Sequence, residues 1–422
     1  MHGIEQNPKL GFYKVGDKIF YSKPEAYIYA TNVNIDPTWY FNNLEFAKFN
    51  WGQEPATSLK ELYRIRAQQL RDKYDYIRLE CSGGGDSTTA AFSFLLNGIH
   101  LDEVIFRYPK QGEKGVTNDP FNTKPENTLS EWQFAAQPLL NWIKTNYPKT
   151  TVRFHDYSEN MLAEQDERDE SWVFNTRDWF QPGHADKYNN FAIKEHRDLA
   201  DSGKNICVLI GIDKPKIARI DNNWYLYFMD VQANSANPVI GNYTNLTSEY
   251  FFWTPDLPEL VAKQAHVLKT WFDMPANQHL KHLTTYPTRG MAHRTAYENL
   301  IKPIIYPDYD HETWQTSKPK NSFYNEMDYW FYVNFKDTQL YQSWEAGLEY
   351  LKSNINPKYF SYGLGRAVGL VQNTSIFYHL GPEDCSKENL AKRPALTNTD
   401  YLSIKKSKIT IVKDRKIKQI LV

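Results

Sequence analysis

Cysteine is scarce in this chain. Three occur in 422 residues, Cys81, Cys207 and Cys385, far apart and with no CxxC pair. That argues against a four-cysteine zinc site or a cysteine-ligated iron–sulfur cluster within one chain. The odd number argues equally against a secreted disulfide framework. Excess charge of one sign is also missing. Forty-nine Lys and Arg stand against 50 Asp and Glu, a formal net charge of −1. No global field therefore draws the chain to nucleic acid or to an anionic membrane. No apolar run is long enough to span a bilayer. The opening MHGIEQNPKLGFYK carries no apolar signal core, so a cytoplasmic chain with no membrane contact is expected. No internal repeat or low-complexity tract stands out. Aromatics, by contrast, reach 15%, which serves cores, stacking surfaces and interfaces alike.

The residue pattern falls into three parts, 1–56, 57–237 and 238–422, with a soft boundary near Asn237 and a single interleaved body as the alternative. The first part reads as a β-rich element, with runs broken by Gly16-Asp17 and by Pro24. In the second, TSLKELYRIRAQQLRDK has helical spacing behind a Thr57 or Ser58 cap. Strands then alternate with helices: YIRLE, EVIFRYP (Glu103 to Pro109), TVRFHDY (Thr151 to Tyr157) and NICVLIGID (Asn205 to Asp213). Such alternation predicts an α/β fold, a parallel sheet with helices on both faces. Ligands of such sheets sit at the carboxyl ends of the strands. The third part reads as a mixed helical region ending in a β-hairpin near Asp414 and serving acceptor binding or oligomerisation. Before it, KIARIDNNWYLYFMD reads as a hairpin turning at Asp221-Asn222-Asn223.

Between YIRLE and the helix that follows lies CSGGGDSTT, with three consecutive glycines at Gly83, Gly84 and Gly85. Glycine tolerates positive φ, so successive amides can converge on an anion. The following helix adds free N–H groups and the positive end of its dipole. Ser82, Ser87 and Thr88 add hydroxyl donors. Together these suit a phosphate. Asp86 repels one unless it holds Mg²⁺ that bridges to the phosphates. The Walker pattern is absent and G-x-G-x-x-G does not fit here. The later GLGRAVG (Gly363 to Gly369) has one residue too many before its last glycine and reads as a turn or helix-packing device.

Ser82-Gly83-Gly84-Gly85-Asp86-Ser87 resembles the PP-loop, SGGxDS, of the ATP pyrophosphatase superfamily, in the matching context of strand, loop, helix and second strand. That superfamily, adenine nucleotide alpha hydrolase-like in fold (HUP-like), includes asparagine, NAD and GMP synthetases, tRNA thiolation enzymes and sulfonucleotide reductases. The clear likeness spans about Tyr74 to Pro109. It implies ATP and Mg²⁺ as cofactors and cleavage between the α- and β-phosphates. An acceptor oxygen would be adenylated, and a nucleophile would then displace AMP. Carried over by position, Ser82, Gly83, Gly84, Gly85, Asp86, Ser87 and Thr88 form the pyrophosphate and metal set. Phe106, Arg107 and Tyr108, at the end of the second strand, line the adenine.

Lys214 follows the strand CVLIGID and lands, if that strand is parallel, at the edge that carries the loop. There it can neutralise charge developing on phosphate, and Asp213 can assist the metal. A plain turn before Pro215 is the competing reading. Ordinary loops or solvated faces are the favoured readings for HETWQTSKPKNSF, for FQPGHADKY with His184 and Lys187, and for EQDERDE. His279 and His282 lack a third metal ligand nearby. The basic tail, Lys405 to Lys418, either protects an edge strand or offers a face to nucleic acid.

The expected function is thus an AMP-forming, ATP-dependent synthetase of the ligase type. It adenylates a carboxylate or carbonyl oxygen of a small-molecule or nucleobase acceptor before attack by nitrogen. Residue 2 is His2 and not cysteine, so the superfamily's common built-in glutaminase is absent, and free ammonia, an amine or a separate nitrogen donor is implied. Two alternatives stand beside it. One is sulfur transfer to a nucleobase or sulfonucleotide reduction, which the sparse cysteines disfavour. The other is a nucleotide-binding interaction protein without turnover, which the intact Asp86 and loop serines disfavour.

Overall fold

The structure is a computed structural model that describes residues 3–108, 131–156, 173–174, 194–230, 238–239, 243–286, 291–309, 336–362, 368–383, 408–413 and 416–421. The segments EQDERDE, FQPGHADKY and HETWQTSKPKNSF, most of GLGRAVG, Cys385 and the tail lysines Lys405 and Lys406 lie outside these residues.

Tyr76–Glu80 is the first strand of the central sheet and also its middle one. β-Branched and aromatic residues dominate the two strands that flank it, EVIFRY and ICVLI, as strands buried in a parallel sheet require. The order across the sheet is Leu246–Tyr250, Ile206–Ile210, Tyr76–Glu80, Glu103–Tyr108, Thr151–Asp156, and all five strands run parallel. The chain therefore fills one side of the sheet, crosses back over, and fills the other. The reversal falls between Tyr76–Glu80 and Ile206–Ile210, which is where an open α/β sheet leaves a crevice for ligands.

Helices flank this sheet. Leu59–Lys73 begins at Ser58, whose hydroxyl accepts from the Glu61 amide at 3.2 Å. Gly85–Leu95 is buried along most of its length. Gln137–Asn146 packs against Thr151–Asp156. The outer strand Leu246–Tyr250 lies beyond Asn237, so the sheet recruits chain from both sides of the soft boundary.

A second sheet of five strands has the order Lys416–Leu421, Lys408–Lys413, Phe377–Pro382, Asn223–Tyr227, Lys216–Ile220. The expected hairpin is present. Asp221 and Asn222 both adopt positive φ, 46° and 58°, as a tight two-residue turn demands. The tail pairs as the expected antiparallel hairpin and adds to this sheet through Phe377–Pro382.

The N-terminal element departs from its β-rich reading. Phe12–Val15, Lys18–Phe20 and Thr38–Tyr40 do form a three-stranded sheet, but Lys23–Val33 is a helix. Ser22 caps it by accepting from the Glu25 amide, and Pro24 sits in its first turn, where its fixed φ suits helix entry. Aromatic side chains fill the core around this element. Phe41, Phe46, Trp51, Phe228, Trp253 and Tyr378 are all buried in one cluster. The rings of Phe46 and Phe228 stack at 5.0 Å, which joins the N-terminal element to the chain beyond the central sheet.

Buried charge in this core is paired. Arg66 donates to the Glu249 carboxylate at 3.1 Å and to the Phe251 and Tyr250 carbonyls. On the other side of the sheet, His196 Nδ1 faces Arg78 at 3.0 Å and Nε2 faces Glu103 at 2.6 Å, while Arg153 and Tyr76 also donate to Glu103. Burial works to raise both carboxyl pKa values. For Glu103, the His196, Tyr76 and Arg153 contacts outweigh it; for Glu249, Arg66, Lys73 and Tyr74 do. Each is held at about 2 against an ordinary 4.5. A depressed carboxyl pKa stabilises the fold above the ordinary value, and that contribution is lost as pH falls through the folded one. Stability is therefore expected to drop between about pH 4.5 and pH 2. Glu249→Gln should weaken this acid dependence and cost about 3–5 kcal/mol at neutral pH, because the Arg66 guanidinium is left buried without a counter-charge. Urea unfolding across pH checks both effects.

Candidate functional site

The strand Tyr76–Glu80 ends at the carboxyl edge of the sheet and passes into the glycine loop. Cys81 continues the pairing through its amide to Ile105 O at 2.8 Å. Gly83 has φ +73°, a conformation that side-chain-bearing residues rarely adopt. A Cβ there would lie 2.4 Å from the Ala135 carbonyl carbon, so the backbone of the Glu131–Gln137 stretch abuts it directly. Gly84 then caps the helix Gly85–Leu95. Thr88 N–H is the first to close an intrahelical bond, to Gly84 O at 2.9 Å. The amides of Gly85, Asp86 and Ser87 consequently have no acceptor among the described residues. These are the free donors that make a helix start attractive to anions.

Side chains around the loop divide by role. Ser82 and Asp86 are half-buried, and Ser87 Oγ donates to Gly84 O at 3.2 Å. Thr88 is fully buried, one position past the last free amide, and its Oγ1 has no partner among the described residues. Gly85 is needed for packing: a Cβ would lie 3.3 Å from the Tyr306 ring and 3.4 Å from Lys302 Cδ.

Across the crevice, Ile206–Ile210 leads to Asp213 and Lys214. Lys214 Nζ donates to Asp86 Oδ2 and, at 3.0 Å, to Asp213 Oδ1. Lys216 Nζ lies 2.9 Å from Asp213 Oδ2 and 2.9 Å from Glu298 Oε1. Arg294 reaches the same Glu298 oxygen at 3.0 Å. Carboxylates and cations thus alternate along one chain of contacts: Asp86, Lys214, Asp213, Lys216, Glu298, Arg294. Burial opposes the charges of Asp213, Lys214, Glu298 and Arg294. The negative charges of Asp213, Asp86 and Glu298 nonetheless hold the Lys214 ammonium well above its ordinary range. Lys214 and Lys216 hold Asp213 well below the carboxylate range. Glu298 is held at about 2, chiefly by Lys216 against its burial.

Two protein carboxylates, Asp86 and Asp213, face this end of the crevice, and the described residues contain no cluster of three or more metal-type ligands. That donor set fits a Mg²⁺ shared with substrate phosphates, which takes one or two carboxylates and keeps waters. Asp86 is the better placed of the two. Each Asp213 oxygen accepts from a lysine, whereas Asp86 meets one lysine, Lys214, and one phenol, Tyr306.

The residues expected to line an adenine are placed unequally. Phe106 is buried, with its ring 5.3 Å from Trp132 and 6.0 Å from Phe154. Arg107 grips the Glu80 carboxylate through Nε at 2.9 Å and Nη2 at 3.1 Å. Tyr108 ends the strand. Opposite Arg107 stands His155, whose Nε2 is buried with no hydrogen-bond partner among the described residues. Burial first, and then the Arg107 charge, lower its pKa to about 4, so the ring is neutral at physiological pH. Away from this edge, His282 Nδ1 lies 2.8 Å from His279 O in a short helical stretch.

Sequence reasoning brought Asp86 and Lys214 together and missed Tyr306, Lys216, Glu298 and Arg294. Tyr306 donates its hydroxyl to Asp86 Oδ1 from 220 positions along the chain. No local pattern in IKPIIYPDY announces that contact. Lys216 was readable in principle, since it lies two residues past Lys214.

Gly83→Ala should lower unfolding stability by at least about 1–3 kcal/mol, the cost of a strained φ alone. Gly85→Ala should cost less, because a side chain and not backbone must yield. Urea unfolding of the two variants checks the order.

No helix among the described residues is long and apolar enough to cross a membrane. No protein-family model, curated protein or solved structure matches the chain, so the reading of this site rests on its own geometry.

Proposed function

We propose that the loop Ser82–Ser87 binds the β,γ-diphosphate of ATP and that the protein is an AMP-forming synthetase of the PP-loop, HUP-like kind. One observation carries the reading. The amides at the start of Gly85–Leu95 that have no acceptor among the described residues lie where strand order reverses, with Gly211 packed beside the Ser87 amide, and Lys214 reaches the same place from the neighbouring strand. Anion-seeking amides, a buried ammonium and a metal-type carboxylate suit the binding and neutralisation of a diphosphate, and the likeness of SGGGDS to the PP-loop supports cleavage at the α-phosphorus.

In this reading the amides of Gly85, Asp86 and Ser87 hold the leaving diphosphate. Lys214 neutralises the charge that grows on it as the α–β bridging P–O bond breaks. Asp86 holds Mg²⁺, which would supply charge neutralisation between the phosphates. An acceptor oxygen attacks the α-phosphorus, pyrophosphate departs, and a nitrogen nucleophile then displaces AMP from the acceptor. Such transfer depends mainly on positioning and on preorganised charge. Neither Cys81 nor Cys207 suits sulfur delivery, because both are buried, and burial pushes the Cys207 thiol well above its ordinary pKa. A buried thiol is a poor nucleophile, so neither described cysteine suits the sulfur-transfer alternative.

Release of AMP and pyrophosphate from ATP, with Mg²⁺ and panels of carboxylate and nucleobase acceptors, tests the proposal. Lys214→Ala should lower turnover about 10²–10³-fold, the scale of losing one preorganised charge-stabilising group. Asp86→Ala should remove Mg²⁺-dependent cleavage while circular dichroism stays native. Turnover that survives Asp86→Ala unchanged contradicts the assignment.

A further inference from the structure

Asp86 is gripped on both oxygens. Lys214 takes Oδ2 and the Tyr306 hydroxyl takes Oδ1. Tyr306 is itself fixed from several directions. It follows directly on the helix Met291–Ile305, and its amide donates to Lys302 O at 3.0 Å. The carbonyl just before it, Ile305 O, accepts from Tyr63 OH at 2.6 Å, and Gln264 in turn donates to that hydroxyl at 2.9 Å. The ring is 1% exposed and lies 5.6 Å from Phe252 and 6.5 Å from Tyr63. Its flank touches Gly85, where a Cβ would stand 3.3 Å from Cδ2. A phenol locked this firmly sets the rotamer of whatever it donates to.

Resting on the nucleotide reading above, we propose that Tyr306 is a positioning residue for metal capture. Its hydroxyl occupies Asp86 Oδ1 and so holds Oδ2 against Lys214, as the oxygen that would pass from the ammonium to a diphosphate-borne Mg²⁺. The phenol meets Asp86 as a hydrogen-bond donor. Without that hydrogen bond the Asp86 carboxylate samples other rotamers, and the metal-competent one is less populated. The consequence is specific. Loss of the hydroxyl raises the Mg²⁺ concentration needed for diphosphate binding but does not remove the amides that hold the diphosphate.

Calorimetric titration of the full chain with inorganic pyrophosphate, across a Mg²⁺ series, tests this. Wild type, Tyr306→Phe, Asp86→Asn and the double variant are compared. Tyr306→Phe keeps the ring packing, and melting temperatures verify that each variant is folded. It should raise the half-saturating Mg²⁺ concentration about tenfold or more, the scale of a lost hydrogen bond to a charged group. Affinity at saturating Mg²⁺ should return to near wild type. In the Asp86→Asn background the same change should have little further effect, because the phenol acts through Asp86. An unchanged Mg²⁺ midpoint in Tyr306→Phe overturns the positioning role and leaves the loop assignment standing. Equal losses in both backgrounds overturn it too, since they describe a residue that only packs. Wild type that takes up no pyrophosphate at any Mg²⁺ concentration overturns the loop assignment itself.

Discussion

The chemistry assigned to this protein depends on one pairing, that of Tyr76–Glu80 with Ile206–Ile210 in parallel register. The two strands end together. Each end releases a loop, and the loops meet: Asp86 from the first, Lys214 from the second. Were the order of the sheet different, the ammonium and the carboxylate would stand on separate edges. Backbone pairing therefore does the work of bringing together groups 128 positions apart. The parallel arrangement also leaves both strands buried, which is why they are apolar apart from side chains that find charged partners.

Around that meeting point charge is conserved locally. Asp86, Asp213 and Glu298 alternate with Lys214, Lys216 and Arg294, so no ion in the chain of contacts is left alone in a poorly solvated place. An isolated buried charge would be costly. Here each one is offset by neighbours on both sides or by solvent at the chain's ends. Such a chain responds to a new charge. In the proposed reading a metal at Asp86 would compete with Lys214, and a diphosphate would offer Lys214 another partner. The same pairing that stabilises the free protein thus holds the two groups in place for exchange with a ligand.

Much of the central sheet was legible from sequence, because its strands are compact β-branched and aromatic runs bounded by turns. The hairpin at Asp221-Asn222 was legible as well, since few residues tolerate two successive positive φ values. Lys23–Val33 was not read as a helix, although Ser22-Lys23-Pro24-Glu25 carries a capping pattern that would have marked its start. Aromatic residues in that stretch imitate a strand; their role is to pack a core shared by the two ends of the chain. The glycine run was conspicuous, but two of its members answer to protein neighbours: Gly83 to the backbone at Ala135 and Gly85 to Tyr306 and Lys302. Within the site, Asp86 followed from the loop and Lys214 from strand-end logic. Tyr306 and Glu298 did not follow from either, because contacts made across 220 and 82 positions leave no trace in local spacing, and Arg294 joins only through Glu298, four residues further along the same helix.

Amide hydrogen exchange tests the central claim most directly. With Mg²⁺ and saturating ATP, the amides of Gly85, Asp86 and Ser87 should exchange markedly more slowly than in the free protein, because each gains a phosphate oxygen as acceptor. Unchanged exchange at those three amides, with the nucleotide demonstrably bound to the chain, would contradict the account.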